Sequence, residues 1–66
     1  MPVIAMTMAP ASTEIKKSLV EELTAKAAEI TGIPKTSFVV TLNELPTDAL
    51  GLGGQTVADM KKQSTR

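Results

Sequence analysis

Apolar residues fill the stretch from Val3 to Met8 with only Thr7 interrupting them. A short apolar run of this kind, ended by Ala9-Pro10-Ala11, predicts a buried β-strand with a turn out of it. The pattern then changes period. Ile15, Leu19, Leu23, Ala27 and Ile30 recur at steps of four, four, four and three. That spacing lays an apolar stripe down one face of a helix and leaves Lys17, Glu21, Glu22 and Glu29 on a solvated face. Ser12 or Thr13 supplies a capping oxygen, and Glu14 sits at the positive end of the helix dipole. Gly32 just past the stripe and Pro34 beyond it are stop signals, so the helix is expected over roughly residues 13–31.

After a Pro34-Lys35-Thr36 turn, the β-branched run Ser37 to Glu44 predicts a second strand. Strand, helix and strand in this order form a β-α-β unit, whose strands lie parallel with a right-handed crossover. Leu45 to Gly54 is rich in turn residues, and Gln55 to Lys62 suits a short final helix or a hairpin arm. Gly51-Leu52-Gly53-Gly54 has no following Lys-Ser/Thr and opens no helix directly after a strand, so it is not a phosphate loop. Backbone freedom at a subunit contact is its plainer use. The fold class expected is α/β (α+β in some schemes): one domain, residues 1–66, built on a single β-α-β unit with a C-terminal hairpin or short helix.

Composition bears on how such a unit stays folded. The chain has 66 residues, one Phe, and no Trp, Tyr, Cys or His. A single core this small rarely supplies more than about 3–5 kcal/mol. Disulfides are excluded, and a metal staple is not expected without Cys or His. A two-stranded sheet with one covering helix also leaves a face and both edges open. Self-association is the remaining route to stability, so an oligomer is expected. Seven basic and seven acidic residues give a net charge of zero, which gives no support for nucleic-acid binding through a basic surface. The apolar N-terminal run lacks a preceding Lys or Arg and is too short to span a bilayer, so no membrane association and a cytoplasmic location are expected.

Candidate chemistry rests on Pro2. If Met1 is cleaved, Pro2 carries a free secondary amine at the mouth of the first strand. An α-amino group has an unperturbed pKa of about 7.7–8.0, and an apolar setting lowers it by disfavouring the charged form. The result is a neutral base near pH 7. A retained Met1 would convert that nitrogen to an amide with no usable lone pair.

Four segments in order carry a resemblance that covers nearly the whole chain. They are Met1-Pro2 opening a strand, Ser12-Thr13-Glu14-Ile15-Lys16-Lys17 starting the helix, the Ser37 to Glu44 strand, and Leu50-Gly51-Leu52-Gly53-Gly54. Together they resemble the 4-oxalocrotonate tautomerase family of the tautomerase superfamily. The resemblance implies dimers with a four-stranded sheet and a homohexamer built as a trimer of dimers. It also implies that Pro2 is the catalytic general base and acid, interconverting unsaturated 2-hydroxy and 2-oxo acids without metal or organic cofactor.

This sequence departs from the family at three pocket positions. Ala11 stands in a shortened loop where an arginine precedes the helix, Val39 replaces a second arginine on the second strand, and Leu50 replaces an aromatic residue. Arginine's fork binds carboxylates bidentately and lysine is no equivalent. The expected substrate is therefore a small enolisable keto compound less anionic than the family's dicarboxylates. Lys16, Lys17 and Lys35 are the nearest cations in sequence and read as solvated surface lysines, while Thr41 and Asn43 are neutral hydrogen-bond donors on the second strand. The alternative reading is a non-catalytic structural subunit that complements an arginine-bearing paralogue in a mixed assembly.

Overall fold

The computed structural model describes residues 1–64, with side-chain surroundings up to residue 62. Strand β1 spans Val3–Met8, helix α1 Thr13–Thr31 and strand β2 Val39–Glu44. A hairpin of β3 (Gly51–Leu52) and β4 (Gln55–Thr56) leads into α2 (Val57–Ser64). The first strand and the helix fall where the hydrophobic pattern places them. Ser12 is the cap: it is extended, and its side chain accepts the Ile15 N–H at 3.2 Å. Gly32 ends the helix with φ of 76° and donates its N–H to the Ala28 carbonyl at 2.9 Å, a left-handed stop that a residue with a Cβ disfavours.

β1 and β2 pair in parallel, with Val3 opposite Val39 and Met8 opposite Glu44. β2 starts two residues later than the sequence suggests. Pro34 opens a 3₁₀ turn over Lys35–Ser37 whose carbonyls take the Ser37 and Phe38 N–H groups. Those donors are thereby withheld from a strand ladder, and Val39 is the first β2 residue free to reach across, to the Pro2 carbonyl at 3.0 Å. At the other end the choice between helix and hairpin resolves as both. Gly53 and Gly54 have φ of 62° and 86° and close the β3–β4 hairpin. Positive φ at both central residues is the turn that matches strand twist, so the Gly-rich segment is a defined turn rather than a flexible contact.

Alternation divides the sheet into two faces. Ile4, Met8, Val40 and Leu42 are half-buried beneath α1, whereas Val3, Ala5, Thr7, Val39, Thr41 and Asn43 look outward. Among the described residues no side chain is buried, hydrophobic or polar. The helix stripe is only partly used: Leu19, Leu23 and Ala27 are half-buried, but Ile15 is 53% exposed and Ile30 75%. These two lie at the ends of the helix, where the two-stranded sheet offers nothing to pack against.

The chain measures 45 × 24 × 16 Å with a radius of gyration of 15.3 Å, against about 11 Å for a compact domain of this length. The excess is the C-terminal arm. Leu50 accepts the Val57 N–H at 2.8 Å, so the hairpin and α2 are tied to each other, and Leu52 near the tip is 68% exposed. None of the described helices is long and apolar enough to cross a membrane.

Candidate active site

Parallel strands carry every N-terminal strand end to one edge of the sheet and every C-terminal end to the other. Pro2 enters β1 at the first edge. It is half-buried, and its carbonyl is held by Val39, whose side chain is 37% exposed on the open face. Val3 flanks it on the same face, 59% exposed. The surroundings of Pro2 on β1 and at the start of β2 are therefore uncharged and apolar, the setting that lowers the pKa of an amine.

Ala11 lies at the opposite edge, past the end of β1, about 20 Å away at strand rise. Its backbone N–H donates to Glu44 Oε2 at 2.9 Å, and Glu44 Oε1 accepts Lys16 Nζ at 3.0 Å. The Ala11 N–H first, and the Lys16 ammonium after it, hold the Glu44 carboxyl below the usual glutamate range. This corrects the reading of Lys16 as a plain solvated lysine. It is half-buried and paired, whereas Lys17 and Lys35 are exposed. Sequence reasoning missed the staple because its partners are 28 and 33 residues apart, and only the parallel register brings Glu44 opposite Met8, beside the loop that leads into α1.

Leu50 is half-buried in the arm, beyond the C-terminal end of β2. Of the four residues singled out, one chain thus joins Pro2 with Val39 and sets Ala11 and Leu50 apart from them. A shallow groove of about 350 Å³ runs along α1, lined by Glu14, Ile15, Ser18, Leu19 and Glu22. It lies on the helix, with neither Pro2 nor Val39 in its lining. Among the described residues no group of acidic side chains could hold a metal ion.

A coreless β-α-β unit with a proline at the mouth of an open-faced parallel strand pair and a protruding hairpin arm is the class these features define. Residues 2–60 match the family model described as tautomerase enzyme. The chain is 35% identical over 60 residues to a probable tautomerase of Bacillus cereus, covering 89% of this chain and 98% of that protein. Its fold is similar to the crystal structure of TomN, a 4-oxalocrotonate tautomerase homologue in the tomaymycin biosynthetic pathway, with a TM-score of 0.92, 31% identity and coverage of 97% and 100% of the two chains. It is also similar to a heterohexamer 4-oxalocrotonate tautomerase from Chloroflexus aurantiacus, with a TM-score of 0.86, 30% identity and coverage of 91% and 98%. This chain belongs to the 4-oxalocrotonate tautomerase family of the tautomerases.

Proposed function

We propose that the chain, once Met1 is removed, is a cofactor-independent tautomerase whose base is the Pro2 amine. The observation that carries this reading is the position of Pro2 in a chain of this family: half-buried, pinned by Val39 and surrounded by uncharged residues. The neutral amine takes a proton from one atom of an enol or dienol and becomes a secondary ammonium. It then returns that proton to a different carbon, so the substrate changes from an unsaturated 2-hydroxy to a 2-oxo form and the enzyme ends unchanged. With Ala11 and Val39 in place of arginines, the substrate is a small enolisable carbonyl compound, phenylenolpyruvate-like, in preference to a dicarboxylate such as 2-hydroxymuconate.

The working unit is an assembly of copies, a homohexamer on the family pattern, located in the cytoplasm. With no side chain buried among the described residues and an extended arm, one copy buries too little of its own surface to stabilise itself. Assembly also answers the division of the site, since a neighbouring copy can bring its Ala11 edge or its Leu50 arm to the Pro2 edge.

A second reading is supported by the missing arginines together with the likeness to a heterohexamer. In it, this chain is a subunit that works beside an arginine-bearing paralogue. Intact mass of protein from the native host, followed by assay of processed wild type, Met1-retaining protein and Pro2→Ala with phenylenolpyruvate, separates the two. The enzyme reading expects processed wild type to be active through a single apparent pKa below the free-amine value, and both variants to lose most of the rate. Equal turnover in all three would refute it.

A further inference from the structure

We infer that α1 pairs antiparallel with α1 of a second copy, the partner's Ile30 filling the groove that runs from Ile15 to Glu22 on the helix. The inference rests on the reading that the working unit is an assembly of copies and is independent of the chemistry assigned to Pro2. Ile15, Ser18, Leu19 and Glu22, which line the groove with Glu14, stand at i, i+3, i+4 and i+7. Four positions so spaced form the hole into which one side chain of a facing helix packs. Leu19 is half-buried and Ile15 is 53% exposed, so the hole has an apolar floor that suits an apolar knob.

The chain carries such a knob on the same flank. Glu14, Ser18, Glu22, Lys26 and Ile30 follow at steps of four and form one row along α1, and Ile30 at its end is 75% exposed. A parallel partner would set Ile30 against Ile30 and Glu22 against Glu22, leaving the hole empty and like charges opposed. An antiparallel partner whose Ile30 lies over Ser18, at the centre of the hole, has its Lys26 opposite Glu22, and the two-fold axis repeats both contacts. One register thus satisfies shape and charge together. Lys26 pairs with Glu29 of its own helix at 3.2 Å, both largely exposed, and across the axis it lies between two carboxylates. The same reversal bears on the site. Helix α1 runs against the parallel strands, from the Ala11 edge to the Pro2 edge, so a two-fold axis at its middle brings the partner's Ala11 edge to the side of the Pro2 edge.

The chain has no cysteine, so introduced thiols report the pairing alone. Ser18→Cys combined with Ile30→Cys sets two thiols about 18 Å apart along one helix, beyond the reach of a short bis-maleimide within one copy, and opposite each other across the axis. The double variant should give a covalent dimer on a denaturing gel, and each single variant should run as a monomer. In sedimentation, Ile30→Asp should weaken association roughly a hundredfold, because two exposed isoleucines per dimer lose their cover. Lys26→Glu should also weaken it, and Glu22→Lys added to Lys26→Glu should restore it. Cross-linking by Ile30→Cys alone, or a double variant that assembles like wild type and yields no covalent dimer, would overturn the inference and leave the assembly reading intact. A wild type that sediments as a monomer would refute the assembly reading and this pairing with it. A covalent dimer from protein without tautomerase activity would uphold the pairing and refute only the role of Pro2.

Discussion

Val3→Asp tests whether the open sheet face is covered in the working protein. Val3 is 59% exposed in the single chain and stands opposite Val39 on the outward face. Were the chain a monomer, a charge at so exposed a site would change stability by about 0.5 kcal/mol or less. Fully burying a valine is worth about 1.5–3 kcal/mol, so 59% of it leaves about 1–2 kcal/mol per copy to be gained when a neighbour covers the face. The aspartate forfeits this and adds an unpaired charge, which costs about 3–5 kcal/mol when it cannot be hydrated. The whole stability of a domain of this length is about 3–10 kcal/mol, so the loss is of the same size as everything that holds the assembly. Sedimentation and thermal melts by circular dichroism at several micromolar concentrations read the outcome. Wild type should be assembled, with Tm rising with concentration, and Val3→Asp should dissociate and lose helical signal. Val40→Asp, beneath α1, should fail in either case and serves as the comparison. A Val3→Asp protein that assembles and melts like wild type, or a wild type that stays folded as a monomer, would refute the reasoning.

The Glu44 carboxyl is held below its ordinary pKa of about 4.3 in the folded chain. Its stabilisation is therefore complete above that value and is lost as pH falls through the depressed folded value; acid titrations should find wild type losing stability below about pH 4.3, and Glu44→Gln weaker at neutral pH with a flatter acid limb. Gly54 has φ of 86° and open space where a Cβ would go, so Gly54→Ala should cost about 1–2 kcal/mol through backbone strain alone; a melt matching wild type would show that the turn relaxes. Val39→Arg should raise kcat/KM for acidic substrates roughly tenfold or more, as a charge-assisted hydrogen bond of about 1.5–3 kcal/mol allows, and no gain would argue that position 39 does not face the bound acid.

The sequence exposes its local elements well because their signals are local. A capping Ser12, a periodic stripe and the stop at Gly32 bound α1, and a short apolar run bounded by Pro10 is β1. The pattern makes β2 two residues too long because β-branched composition says nothing of the 3₁₀ turn that consumes the Ser37 and Phe38 donors. The C-terminal segment reads as hairpin or short helix because it holds signals for both, and two glycines between Leu52 and Gln55 are the two-residue loop that closes the hairpin. Pro2 stands out in the sequence because, once Met1 is removed, it alone of the four prolines has a free secondary amine. The distance from Pro2 to Ala11 follows from strand rise, but the pairing of Glu44 with the Ala11 N–H and Lys16 depends on tertiary register, which no local pattern encodes. Ile15 and Ile30 show the converse: the stripe is sound as a pattern, yet one chain alone does not cover its ends.

On the proposed tautomerase reading, the Glu44 staple also bears on the substrate. At the edge where the family places its first arginine, this chain has one nearby half-buried cation and one loop N–H, and Glu44 occupies both. A carboxylate bound there would have to compete with a carboxylate already held at 2.9 and 3.0 Å, and its charge would oppose that of Glu44. Along the open face, the side chains beyond Val39 are Thr41 and Asn43, neutral donors paired with Ala5 and Thr7. Neutral donors are worth roughly half a charge-assisted contact, enough to orient a carbonyl and too little to repay the desolvation of two carboxylates. If the Pro2 edge of one copy meets the Ala11 edge of another, the combined site offers a base, an apolar wall and neutral hydrogen bonds with an acidic residue at its rim. On the proposed reading, that combination favours a substrate with one enolisable carbonyl and little negative charge, and Val39→Arg and Glu44→Gln should be additive in admitting acids, since the first supplies an attraction and the second removes a repulsion from a separate edge of the chain.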